Sequence, residues 1–110
     1  TIIDLDLEQW QVVLENVLDN QIRYARSSIS VSIHHHLENS EFHLEIRNDG
    51  PSFVDGEEQT IFEAFRKGTE GKFGLGLVIV RRICELHAVT VEAHNETNGV
   101  VFRFTFRCNR

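Results

Sequence analysis

Residues 71–77, GKFGLGL, hold three of the chain's seven glycines and run straight into an apolar segment of helical spacing, residues 77–86. Glycine lets a backbone approach a bound group closely and reach φ values that other residues avoid. A helix start adds unpaired N–H groups and a partial positive charge, and the two features together suit a phosphate. A glycine-rich loop that only caps a core helix would read the same way. Two familiar phosphate patterns are absent: the P-loop has no match, and GxGxxG fails because Ile79 stands where its third glycine belongs. The loop therefore demands a fold in which it enters a buried helix, and any function has to come from its neighbours.

Those neighbours are legible from periodicity. Asp6 followed by Gln9 reads as a helix N-cap with its reciprocal partner. A helix is expected over residues 7–26, with Trp10, Val13, Leu14, Val17, Leu18, Ile22 and Ala25 as its apolar stripe. Asn16, Asn20 and Arg23 share a different face: two carboxamides one turn apart with a cation beyond them. Asn is a poor helix former, so two in mid-helix weaken it unless they serve something. Gln21 points into the middle of the apolar stripe, where its amide needs a partner or costs stability.

Residues 29–37 and 42–47 alternate about a turn at 38–41, which predicts a β-hairpin with one apolar and one polar face. With Asn39 and Ser40 at the tip, His36 lies opposite His43 and His34 shares their face, while His35 falls on the apolar side as a core residue. Three imidazoles on one face suit Zn²⁺ or Ni²⁺. No carboxylate or cysteine completes a convincing set, so an exposed His-rich face is the favoured reading. A short edge strand at 1–5, a turn at 47–53, a short acidic helix at 57–65 and a cationic lid at 66–72 are also expected. Strands at 89–93 and 101–107, joined near Asn98 and Gly99, complete the order. This succession predicts an α+β fold, a two-layer α/β sandwich with one mixed β-sheet and helices on one face.

At 110 residues the chain makes one domain. A net charge of −6 argues against nucleic acid or an anionic membrane surface as partner. Cys84 and Cys108 have neither CxxC nor disulfide-framework spacing, so a reducing compartment is expected. No stretch is long and apolar enough for a membrane span. A start at Thr1 without Met points to a piece of a longer protein, so a membrane anchor would come from segments outside it.

Four separated stretches, taken in order, resemble the ATP-binding catalytic domain of bacterial two-component sensor histidine kinases. That family belongs to the GHKL superfamily, with its Bergerat fold, shared with DNA gyrase, the heat-shock chaperones and mismatch-repair ATPases. Residues 15–25, ENVLDNQIRYA, resemble the N box, and residues 48–53, NDGPSF, the first glycine box. Residues 61–65, IFEAF, resemble the F box, and residues 73–77, FGLGL, the second glycine box.

The resemblance implies ATP and Mg²⁺ as cofactors. It implies that Asn20 offers its carboxamide oxygen to Mg²⁺, that Asn16 helps at the triphosphate or through a metal-bound water, that Arg23 and Lys67 meet phosphate oxygens, and that Tyr24 packs near the nucleotide. Asn48, Asp49, Gly50, Ser52 and Phe53 would hold adenine. Lys72, Phe73, Gly74, Leu75, Gly76 and Leu77 would form the lid over the phosphates. The sequence departs from the family at Asn48, where an adenine-reading Asp is usual and Asp49 follows one residue later, so either residue stands as the reader. Ser52 replaces a glycine, Lys72 stands where the second box opens with glycine, and Gln21 replaces a small residue.

Hydrolysing members of the superfamily carry Glu at the position of Asn16, and an amide has no basicity to activate water. Transfer to a protein imidazole needs mainly positioning and charge neutralisation. The resemblance therefore implies transfer of the γ-phosphate to a histidine on a separate helical dimerisation domain of the same protein, with a response-regulator receiver domain downstream. Cytoplasmic placement in a membrane-anchored sensor goes with it. An anti-sigma-factor-like serine kinase and a degenerate nucleotide-binding module without transfer stand as alternatives.

Overall fold

Asp6 starts the first helix, α1 (Leu7–Tyr24), by accepting from the Gln9 backbone N–H at 3.1 Å. The reciprocal bond goes elsewhere: the Asp6 N–H donates to Nε2 of His87 at 3.1 Å. Nδ1 of that imidazole lies 2.9 Å from the Ile83 carbonyl, which can only accept, so Nδ1 carries the proton and Nε2 is the acceptor. One neutral histidine thus ties the start of α1 to the far end of the other long helix. The computed structural model describes residues 5–54, 56–63 and 76–107. The expected strand at 1–5 and the lid at 66–72 therefore lie almost wholly outside the described residues.

After α1 come β1 (Ile29–His36), a 3₁₀ turn at Leu37–Asn39, β2 (Glu41–Asn48), α2 (Glu57–Thr60), α3 (Gly76–Leu86), β3 (Thr90–Glu96) and β4 (Gly99–Arg107). The strands form one sheet in the order β1-β2-β4-β3. The α+β sandwich is as expected, but the described sheet is antiparallel throughout instead of mixed. The reason is topological. β2 and β3 run in the same direction, and β4 returns from the β3 hairpin to lie between them, so each neighbouring pair is antiparallel.

Alternation puts Ile46, Phe102, Phe104 and Phe106 on the face that meets the helices. Trp10, Val13 and Val17 of α1, with Leu77, Val80 and Cys84 of α3, complete this core. Trp10 leans on Phe106 and Phe104 at ring distances of 5.2 and 6.1 Å, and Phe62 meets Phe102 edge-on at 5.8 Å. Burial of each such side chain contributes roughly 1.5–3 kcal/mol. The buried face of α1 is centred on Trp10, Val13, Val17 and Gln21. Leu14, Leu18 and Ile22, expected in the stripe, sit on its exposed margin because the helix is rolled toward α3.

The opposite face of the sheet is polar. Buried Glu45 accepts from Arg103 at 2.7 Å and from Arg47 at 2.8 Å, and Arg47 reaches on to Glu96 at 2.9 Å. Burial alone would raise the Glu45 pKa, but the hydrogen bonds and charges of the two guanidinium groups outweigh it and hold the carboxyl below its usual range.

The hairpin differs from expectation in register. The 3₁₀ turn, with Ser40 at a positive φ of 53°, shifts the pairing by two residues, so His34 faces His43 and His36 faces Glu41. A two-residue shift keeps every side chain on its own face. His35 is not a core residue. It is exposed and stacks on Phe42 at 4.2 Å, because the helices do not reach over the edge strand, where Val31 and Ile33 remain 58% and 67% exposed.

α1 also stops two residues before the expected end. Ala25 is extended, and Asp49 draws the next residues off the helix: its carboxylate accepts from the backbone N–H groups of Arg26, Ser27 and Ser28 at 2.8–3.1 Å. The Ser27 hydroxyl, then these N–H groups, hold the Asp49 carboxyl well below the usual carboxylate range. A group whose folded pKa is depressed stabilises the fold above its unfolded value, near 3.8, and loses that contribution as pH falls further. Asp49→Asn should therefore lower the urea midpoint at pH 7 and flatten its decline below about pH 4. An equally steep acid decline in the variant would refute this source of stability.

Candidate functional site

At the end of α1 the carboxamide face meets the end of β2 over a cavity of about 350 Å³, within the ordinary range for small-molecule sites. Asn20 and Tyr24 enter from α1, Asn48 from the last position of β2, and Pro51, Ser52, Phe53 and Val54 from the loop beyond. Glu57 and Ile61 bound it on the α2 side, and Val100 and Phe102 of β4 supply an apolar wall. A flat apolar slot with a few polar groups at one end suits a planar ring.

The loop is held by side chains that the sequence reading did not single out. Asn95 of β3 imitates a strand partner, accepting from the Phe53 N–H at 2.7 Å and donating to its carbonyl at 3.1 Å. Glu57 accepts from the Val54 N–H at 3.0 Å, which closes the turn into α2. Gly50 lies directly against the Tyr24 carbonyl oxygen, which a Cβ at that position would overlap. Only glycine lets β2 end this close to α1. The signal for Asn95 was its place beside the Asn98–Gly99 hairpin, but its partner lies 42 residues away and no local pattern reports that.

Asn48 and Asp49 separate cleanly. Asp49 spends its oxygens on residues 26–28 and does not line the cavity. Asn48 does line it, and is buried. Its Oδ1 accepts from the Gly50 N–H at 2.8 Å, and its Nδ2 donates to Oε1 of Gln21 at 2.7 Å. The Gln21 amide expected in the apolar stripe is there, fully buried, with one end satisfied and its Nε2 without a partner among the described residues.

Asn16 lies one turn before Asn20, half-buried, with Nδ2 donating to the Val12 carbonyl at 2.8 Å. That leaves Oδ1 directed outward, and a Cβ on Gly76 would come within 2.8 Å of it. The first residue of α3 is thus set against the carboxamide face of α1. Arg23 is exposed on the same side. Leu77 is a core residue of α3, so only its backbone is available to a ligand. Lys67, Lys72, Phe73, Gly74 and Leu75 lie outside the described residues.

Two other groupings carry less. A hollow between α2, α3 and β3 holds none of the candidate residues, and burial pushes its Cys84 thiol up to about 12, too high to form a nucleophile at neutral pH. His34 lies 3.5 Å from Glu45, His43 lies 3.3 Å from Glu41, and the His36 and His43 rings are 4.2 Å apart. Among the described residues no group of three or more His, Cys, Asp or Glu is arranged to hold a metal ion.

The profile of the family described as histidine kinase-, DNA gyrase B-, and HSP90-like ATPase matches residues 5–110. The sensor histidine kinase CssS of Bacillus subtilis is 43% identical over 98 residues, which are 89% of this chain and 21% of that protein. The sensor protein KdpD of Escherichia coli is 36% identical over 110 residues, 96% of this chain and 12% of that protein. The chain therefore spans about a fifth or less of these two relatives. Among solved structures, the catalytic domain of the histidine kinase ThkA superposes with a TM-score of 0.77 at 26% identity, covering 96% of this chain and 70% of that one.

The two glycines make separable predictions. Gly50→Ala should destabilise by about 1–3 kcal/mol, because backbone must move, whereas Gly76→Ala should stay within about 1 kcal/mol, because only the tip of Asn16 must yield. Urea unfolding gives both values, and the Asn16 side-chain amide signal in NMR should shift for Gly76→Ala.

Proposed function

The chain belongs to the histidine kinase-, DNA gyrase B-, and HSP90-like ATPase family, and we propose that it binds Mg-ATP and donates the γ-phosphoryl group to a histidine on another domain of a sensor kinase. The observation that supports this most is convergence: Asn20 and Tyr24, Asn48, and Ser52 with Phe53, distant in sequence, line one cavity. The base lies between the loop after β2 and the β4 wall. The ribose and phosphates run along Asn16, Asn20 and Arg23 toward the start of α3. Lys67 and the lid residues Lys72 to Leu77 act on the phosphates.

The donor set fits a magnesium ion that arrives with its nucleotide. Asn16 and Asn20 offer neutral oxygens, and Mg²⁺ prefers a few protein oxygens with phosphate and water completing its shell. When bound, the ion neutralises charge between phosphate oxygens. The remaining work belongs to the chain: Asn20 fixes the ion's place, Asn16 orients groups near the triphosphate, and Arg23 balances negative charge. In the transfer an imidazole nitrogen takes the γ-phosphorus, the bridging P–O bond breaks, and ADP leaves with its electron pair. Hydrolysis by this chain is disfavoured, since Asn16 holds its Nδ2 on the Val12 carbonyl and has no base to offer water. The acceptor domain, a response-regulator receiver domain as the next partner, and a cytoplasmic location in a membrane-anchored sensor complete the proposal.

Calorimetric titration with a non-hydrolysable ATP analogue tests it. Binding should strengthen with Mg²⁺, and Asn20→Ala should weaken the Mg²⁺-dependent part by roughly ten- to hundredfold, the range usual when a group that positions a metal is lost. A folded chain that binds no nucleotide would end the proposal.

A further inference from the structure

We propose that Gln21 is a positioning residue that fixes the carboxamide of Asn48 in one orientation, and that this orientation makes the cavity select a 6-aminopurine over a 6-oxopurine. The inference rests on the cavity being the nucleotide site. The orientation follows from what each atom can do. The Gly50 N–H only donates, so the Asn48 atom 2.8 Å from it is the oxygen, Oδ1. Nδ2 then faces α1, where Oε1 of Gln21 accepts from it at 2.7 Å. Turning Asn48 over would set Nδ2 against the Gly50 N–H, donor against donor, and would break the Gln21 bond as well. Two bonds from opposite sides hold the amide.

Asn48 lines the cavity, and each of its polar atoms keeps one direction free: a second lone pair on Oδ1 and a second proton on Nδ2. An acceptor beside a donor, in fixed order, is the pattern by which a carboxamide takes the exocyclic amine and adjacent ring nitrogen of adenine. A base with oxygen at C6 and a protonated N1 presents the reverse order and meets lone pair against lone pair. A carboxylate at residue 48 would need no such lock, because both of its oxygens accept. The cost of the lock is visible: Gln21 is fully buried and its Nε2 has no partner among the described residues, a loss of stability that an apolar residue would avoid.

The test compares Mg-ATP, Mg-GTP and tripolyphosphate by titration calorimetry on the parent, Gln21→Leu and Gln21→Glu. The parent should prefer ATP by roughly 5- to 150-fold, the discrimination expected of one bidentate amide–base pair. Gln21→Leu should bring that ratio down to about twofold or less with tripolyphosphate affinity unchanged. Gln21→Glu, which still accepts from Nδ2, should restore it. Gln21→Met, close in size but without an amide oxygen, should lose the same preference and keeps the proposal testable should Gln21→Leu fold poorly. An ATP-to-GTP ratio within about twofold of the parent's in a folded Gln21→Leu overturns the role of Gln21 alone. Absence of binding by the parent to all three ligands removes the nucleotide site itself, and the role of Gln21 with it.

Discussion

The end of β2 is bound to the end of α1 by hydrogen bonds that leave neither free to move alone. Asp49 holds the N–H groups of Arg26, Ser27 and Ser28, Asn48 reaches Gln21, and Gly50 lies on the Tyr24 carbonyl. All of these contacts fall within a few residues on each side, so helix and strand meet as one rigid corner. The cavity is what that corner leaves open. Its floor, its polar end and the exit of α1 are set together, and a change in one disturbs the others.

Adjacent residues in this corner have opposite duties. Asp49 carries a charge and uses it on backbone N–H groups, where a carboxylate is held strongly in its ionised form. Asn48 carries none and can sit buried at the cavity without the desolvation penalty of a charge. The acid stands just past the end of β2 and turns to the exit of α1, while the amide at the last position of β2 faces the cavity and pairs with Gln21. Asn48 and Gln21, the two positions noted in the sequence as unusual, are joined by one buried hydrogen bond.

Much of this was legible in the sequence, and the failures have identifiable causes. The N-cap at Asp6, the two long helices, both hairpins and the α+β layering followed from local periodicity and turn chemistry. The acidic helix expected over 57–65, by contrast, is helical only at Glu57–Thr60, and residues 61–63 have already left it. The carboxamide face of α1 was visible because Asn16 and Asn20 stand where propensity opposes them. The end of α1 was misplaced because Asp49, more than twenty residues away, decides it. The antiparallel sheet escaped because periodicity says nothing of which strand lies beside which. His35 read as core because alternation identifies a face without telling how far the helices extend over it. Gln21 could be seen to need a partner, but only the fold could supply Asn48.

The uneven cover over the sheet has a consequence for how the chain tolerates change. β4 is nearly wholly buried and touches two strands, the helices and the cavity, whereas β1 stands at an edge with its apolar side largely open. Val31 and Ile33 of β1 are largely exposed, so these positions can be rewritten with little effect on the corner that matters. A lineage of such domains can therefore revise one margin freely while the opposite half of the sheet stays fixed by its packing. The freedom lies two strands away from the wall that would have to remember the ligand.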